Sequence, residues 1–252
     1  MELKTLSILN KQTKFMANII NIETSARRCS VALGIEGQVE GYWEEIDTQS
    51  RNLAHFVEKA LEALSLKELH LDAVSVSIGP GSYTGLRAGL SLAKGVCLAR
   101  DCKLIEVPTL MLLAVSAMFK LRECEGNEIF IPMIDARRME VYTAAYNSAL
   151  EELMPPIPMI LEPESLVDLE TKGKRIFIGD GTTKFREIAV GEGVWLTSSS
   201  PSANDMAILS EKFYREGRFA DVAYAVPVYL KEYNAKISKN KVLSGLQNSS
   251  KE

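Results

Sequence analysis

Runs of alternating residues give way to helical periodicity twice along the chain, and both stretches open in the same way. Ile19, Ile20 and Ile22 begin a strand, residues 29–35 form a second and residues 39–46 a third, joined through Gly34 and Gly37 as a hairpin. The period then changes. Leu53, Phe56, Val57, Ala60, Leu61 and Leu64 fall on one stripe of an α-helix, with Ser50 as its N-cap. Residues 73–78 are a β-branched run stopped by Gly79-Pro80-Gly81, which predicts a buried strand. A helix over 84–100, a strand over 104–107 and a helix that Pro108 opens and that ends near Lys120 complete one α/β unit.

The second stretch predicts strands over 128–134 and 140–147, an extended linker or edge over 154–163, and a strand over 175–178 that ends in Gly179-Asp180-Gly181. A helix follows over 203–216 with Met206, Leu209 and Phe213 inward. An acid at a strand end and the pattern A-R-R-x-x-V recur at Glu23/Ala26-Arg27-Arg28 and Asp135/Ala136-Arg137-Arg138, each before an alternating strand, and this echo raises a duplication. The expected division is a disordered leader at 1–15, an N-terminal domain at 16–122, a C-terminal domain at 123–233 and a disordered tail at 234–252. Met16 directly precedes the first strand, so the leader reads as an extension or a misassigned start.

Composition narrows the function. The chain has 252 residues, 46% hydrophobic and 25% charged, which excludes intrinsic disorder and collagen-like repeats. The longest apolar run, 109–119, is too short for a membrane span, which needs roughly 20 residues. A net charge of −4, from 29 basic and 33 acidic residues, lacks the footprint of a stand-alone nucleic-acid binder. Cys29, Cys97, Cys102 and Cys124 have no metal-ligand spacing and read as reduced cytoplasmic thiols. His55 and His70, with no partner at ligand spacing, leave a zinc site and a Ser-His-Asp triad almost without candidates.

The richest segment is Gly79-Pro80-Gly81-Ser82-Tyr83-Thr84-Gly85-Leu86-Arg87, a strand-to-helix junction with Ser82 or Thr84 as cap. Such a junction presents backbone N–H groups to an anion, or is a tight turn only; it is no Walker A loop, because no Gly-Lys-Ser/Thr follows. Gly85, Gly89, Ala93 and Cys97 form a small-residue stripe that permits close approach of the chain's own sheet or of another subunit. Glu23 and Asp135 can hold a metal–phosphate or a water, or cap their turns. The pairs Arg27-Arg28 and Arg137-Arg138 can clamp an anion or bridge to RNA, or stand solvated.

Together with Ile22-Glu23-Thr24-Ser25, Ser30-Val31-Ala32-Leu33, Asp135-Ala136-Arg137-Arg138-Met139-Glu140-Val141-Tyr142, Gly179-Asp180-Gly181 and Pro227-Val228-Tyr229-Leu230, the glycine segment resembles the TsaB (YeaZ) family. These are bacterial tRNA threonylcarbamoyladenosine (t6A) biosynthesis proteins of the wider glycoprotease, peptidase M22-like group. The resemblance spans about residues 17–231. It implies a duplicated actin-like ATPase (ribonuclease H-like) α/β fold. It implies a cytoplasmic, non-catalytic partner of the paralogue TsaD, with TsaE as third component, acting on N6 of adenosine 37 of ANN-decoding tRNAs.

By the same resemblance, Glu23, Thr24, Ser25, Gly79, Gly81, Ser82, Tyr83, Thr84, Gly85, Asp135, Arg137, Gly179 and Gly181 form a vestigial phosphate loop, with no catalytic residue and no metal ligand. The TsaD contact falls on the first two helices, through Leu53, Phe56, Val57, Ala60, Gly85, Gly89, Leu90, Ala93 and Cys97, and the same surface pairs two copies when TsaD is absent. No cofactor is required of this chain; ATP or ADP belongs to the complex, and tRNA is met through the complex. The catalytic paralogue carries a His-x-x-x-His metal pair just after a proline, whereas segment 108–115 here has no histidine. The alternative is a stand-alone enzyme of the same fold, a metallopeptidase or a phosphotransferase.

Overall fold

The computed structural model describes residues 17–46, 51–121 and 125–231. The leader, Met16, Ser50, Cys124 and the tail lie outside them. The first sheet starts with an antiparallel meander of β1 (Ile19–Glu23), β2 (Arg28–Ile35) and β3 (Gln38–Ile46). Helix α1 (Leu53–Leu66) leads to β4 (Ala73–Gly79), α2 (Tyr83–Arg100) to β5 (Lys103–Pro108), and α3 (Thr109–Lys120) leaves the sheet. The order is β3-β2-β1-β4-β5, with β4 and β5 parallel to β1.

The second sheet repeats this plan. β6 (Glu128–Asp135), β7 (Glu140–Tyr146) and β8 (Glu152–Ile160) form the meander, and β9 (Lys174–Ile178) and β10 (Val194–Leu196) add in parallel. Read from its meander edge, the order is β8-β7-β6-β9-β10, the same path as in the first sheet. This is the duplicated actin-like architecture, and it places Glu23 and Asp135 at equivalent strand ends. Segment 154–163 resolves as an edge strand over most of its length. Pro155, Pro156 and Pro158 lack the N–H that a central strand must donate.

The helices divide by the faces they bury. α1 and α2 cover the outer face of the first sheet, where Leu53, Phe56, Val57, Ala60, Leu90, Ala93 and Cys97 pack on Ile20, Ile22, Val74 and Val76. Between the sheets runs α3. Its Leu112 and Val115 meet Ile105 and Val107 of the first sheet, and its Leu110, Leu113, Ala114 and Ala117 meet Phe130, Ile176 and Ile178 of the second. Burial on both sides explains why this helix is apolar all round. The outer face of the second sheet is closed by a 3-10 turn (Val167–Thr171) and the short helix α4 (Thr182–Arg186), through Leu169 and Phe185.

The C-terminal helix α5 (Ala203–Arg215) departs from the expected division at 122/123. Its Met206, Leu209 and Phe213 pack on Ile19, Ala73 and Val107 of the first sheet, beside α3. The chain then stays on that unit, through a bridge between Ala220 and Leu104 and a bond from Val228 N to Ile78 O (2.8 Å). The inward stripe read in the sequence is correct, but the face it seeks belongs to the other half.

Candidate functional site

The ends of β1, β4, β6 and β9 bring most of the sequence-derived residues to one end of the two sheets. Ser82 caps α2, its Oγ accepting from Gly85 N at 3.2 Å, and Asn52, not Ser50, precedes α1. The glycines of this junction answer to the chain itself. A Cβ on Gly81 would stand 2.4 Å from Ser25 O, one on Gly85 2.1 Å from Thr24 O, and one on Gly89 2.4 Å from Thr24 Oγ1. Ser82 N donates to Ser25 O at 2.6 Å. The turn is thus braced on the end of β1, and the donors of Ser82 and Gly85, which a phosphate cradle would use, already have partners. Tyr83 and Thr84 face solvent. The Tyr83 ring packs on Tyr229 (5.2 Å) and under the Arg87 guanidinium (4.5 Å).

The two equivalent acids differ. Glu23 is fully buried; Ser25 N and Ser25 Oγ donate to its Oε1 at 2.6 and 2.5 Å, while Oε2 has no partner among the described residues. Burial pushes its pKa up to about 7 against the opposing pull of the Ser25 hydrogen bonds. Asp135 is exposed and accepts from Arg137 N (2.6 Å) and Lys184 Nζ (2.7 Å). Partial burial works the other way, but the Lys184 ammonium and the Arg137 N–H hold this carboxyl below its ordinary range. Lys184 also donates to Arg138 O and Glu140 O, which fastens a hairpin turn whose Arg137 and Arg138 have positive φ (71° and 51°). Both acids therefore cap their own turns.

Between the halves lies a cleft of about 360 Å³. Of the candidate residues, Ser25 and Gly179 line it, with Arg27 and Arg28; the turn at 79–85 does not. Asp180, Leu113 and Ser198–Ser200 also line it and carry no role in the sequence reading. The serine run before Pro201 was the available signal. Gly179 and Gly181 brace on Met133 O as the first turn braces on Ser25.

The proposed contact residues need correction. Leu53, Phe56, Val57, Ala60, Leu90, Ala93 and Cys97 are buried in the chain's own first core, and Gly85 and Gly89 lie against Thr24. The small-residue stripe serves close packing of α2 on its sheet. The solvent face of α2 is a second line, Thr84, Ala88, Ser91, Gly95 and Leu98, which periodicity did not bring out because all of these but Leu98 are small or polar.

The family model described as TsaD, tRNA N6-adenosine threonylcarbamoyltransferase, matches residues 44–242. The tRNA threonylcarbamoyladenosine biosynthesis protein TsaB of Bacillus subtilis (strain 168) is 31% identical over 171 residues, 64% of this chain and 70% of that protein. The chain belongs to the TsaB (YeaZ) family. TsaB of Escherichia coli (strain K12) is 28% identical over 221 residues, 84% of this chain and 94% of that protein. Among solved structures, YeaZ from Pseudomonas aeruginosa superposes with a TM-score of 0.69 at 27% identity, covering 85% of this chain and all of that one. No helix among the described residues is long and apolar enough to cross a membrane.

Proposed function

We propose that this TsaB-family chain is the non-catalytic subunit of a t6A-forming complex, which scaffolds and activates the paralogue TsaD. The observation that carries the reading is the segment after Pro108. Where the catalytic paralogue is expected to carry its metal pair, this chain has a helix start whose Leu110, Leu112 and Leu113 are buried between the two sheets. Those positions are committed to packing. The glycine turn braced on β1 supports the same reading, because its Ser82 and Gly85 donors serve the fold rather than a nucleotide. In this reading no cofactor is required of this chain, and ATP or ADP belongs to the complex.

The surface offered to TsaD is the solvent side of α1 and α2. On α2 it is the line from Thr84 to Leu98, where small side chains admit another helix closely, and Leu98 is 76% exposed. The same face pairs two copies in the absence of TsaD. Size exclusion of the chain with and without TsaD from the same organism tests this. The homodimer is expected to give way to a mixed complex, and two proteins that elute independently at micromolar concentration contradict the reading. The rival, a stand-alone metallopeptidase, requires one tightly bound metal per purified chain.

A further inference from the structure

Cys97 and Cys102 flank the turn that ends α2. Asp101 closes the helix in the left-handed region (φ 49°), and Cys102 N donates back to Cys97 O at 3.2 Å. This closure brings the two side chains together, as contact between these two positions commonly accompanies such a cap, and the Cys97 thiol donates to Lys103 O at 3.4 Å. Their surroundings differ. Cys97 is 2% exposed in the first core, whereas Cys102 is half-buried at its edge.

We propose that Cys97 and Cys102 form a dithiol modification site, which a small-molecule disulfide such as glutathione disulfide oxidises to an intramolecular disulfide across the C-terminal turn of α2. The two thiols have distinct parts. The neighbouring Cys97 holds the Cys102 thiol below its ordinary range, against burial and the nearby Asp72 and Asp101. Cys102 and burial together push Cys97 up. Cys102, more acidic and more accessible, is the attacking sulfur, since the thiolate is the nucleophile.

Its thiolate attacks one sulfur of glutathione disulfide and expels a glutathione thiolate, leaving a mixed disulfide at Cys102. Cys97 then gives its proton to solvent and attacks the Cys102 sulfur, which expels the second glutathione thiolate. Two protein thiols are oxidised and one glutathione disulfide is reduced to two thiols. The product ties the last turn of α2 to the start of β5, and a dithiol reductant reverses it. The site stands apart from the cleft and does not depend on the role proposed for the chain.

The test incubates the full-length reduced chain with glutathione disulfide, quenches with acid and maps tryptic peptides. Cleavage after Lys94, Arg100 and Lys103 separates the two cysteines onto peptides 95–100 and 101–103. The proposal expects these peptides linked, with the loss of two hydrogens, and released by dithiothreitol. In Cys97→Ser the reaction stops with one glutathione on residues 101–103; in Cys102→Ser, peptide 95–100 stays unmodified. Circular dichroism verifies that both variants are folded. Unlinked peptides from the wild-type chain, whether Cys102 is untouched or stably glutathionylated, overturn the proposal, as does glutathione on Cys97 in place of Cys102.

Discussion

Glu23 and Asp135 occupy equivalent strand ends, yet one is buried with a raised pKa and the other is exposed and paired with Lys184. The sequence announces both as acids before a turn. It does not announce their burial, which depends on what neighbouring strands and helices lay over each end. The consequence of a buried carboxyl is a pH dependence of stability. The Glu23 pKa is about 7 in the folded chain against 4.5 ordinarily, so folding favours the protonated form. Its contribution is fully present below about pH 4.5 and is lost as pH rises through 7. At about 1.36 kcal/mol per pKa unit the loss is about 3 kcal/mol. Glu23→Gln removes the ionisation, so the stability difference between this variant and the wild type should move in the variant's favour by that order between pH 5 and pH 8. Urea denaturation at the two values measures it, and a constant difference contradicts the burial described here.

At the scale of elements, α2 shows what periodicity conveys and what it omits. Its approximate limits and its small-residue stripe are legible in the spacing, and the cap is narrowed to Ser82 or Thr84, of which the structure uses Ser82. The neighbour of that stripe is not, because a close-packed face reads alike against a sheet or against a subunit. The structure resolves this through two glycines. Gly85 touches the backbone of Thr24, so Gly85→Ala, with no room for its methyl, should destabilise by about 1–3 kcal/mol. Gly95 has nothing within 4 Å of an added Cβ, so Gly95→Ala should stabilise by up to about 1 kcal/mol through helix propensity alone. Opposite shifts of the thermal midpoint are expected; equal shifts would mean that the helix is turned otherwise.

The two faces of α2 also separate folding from assembly. Ala93→Arg drives a charge into the core and should leave the chain unfolded or aggregated. Ser91→Arg, on the solvent line, should keep the wild-type circular dichroism spectrum and melting curve and yet lose both the homodimer and TsaD. A folded Ser91→Arg that still binds moves the contact to another surface.

For the molecule as a whole, the echo of A-R-R-x-x-V after an acid marks a duplication that the two identical sheet orders bear out. What the echo does not reveal is the crossing of α5 back to the first sheet, because its apolar stripe specifies a face and not whose face. The cleft suffers likewise: Ser198–Ser200 come to it only through this return path. The account is that of an actin-like pair of units in which the segment after Pro108 is filled by core residues and the solvent side of the outer helices is the surface proposed for a partner. Its most direct test is t6A formation in a purified reaction of threonylcarbamoyl-adenylate, TsaE and substrate tRNA, to which this chain, TsaD or both are added. The account predicts modified adenosine when both are present and none from this chain without TsaD; modified tRNA produced by this chain without TsaD would contradict it.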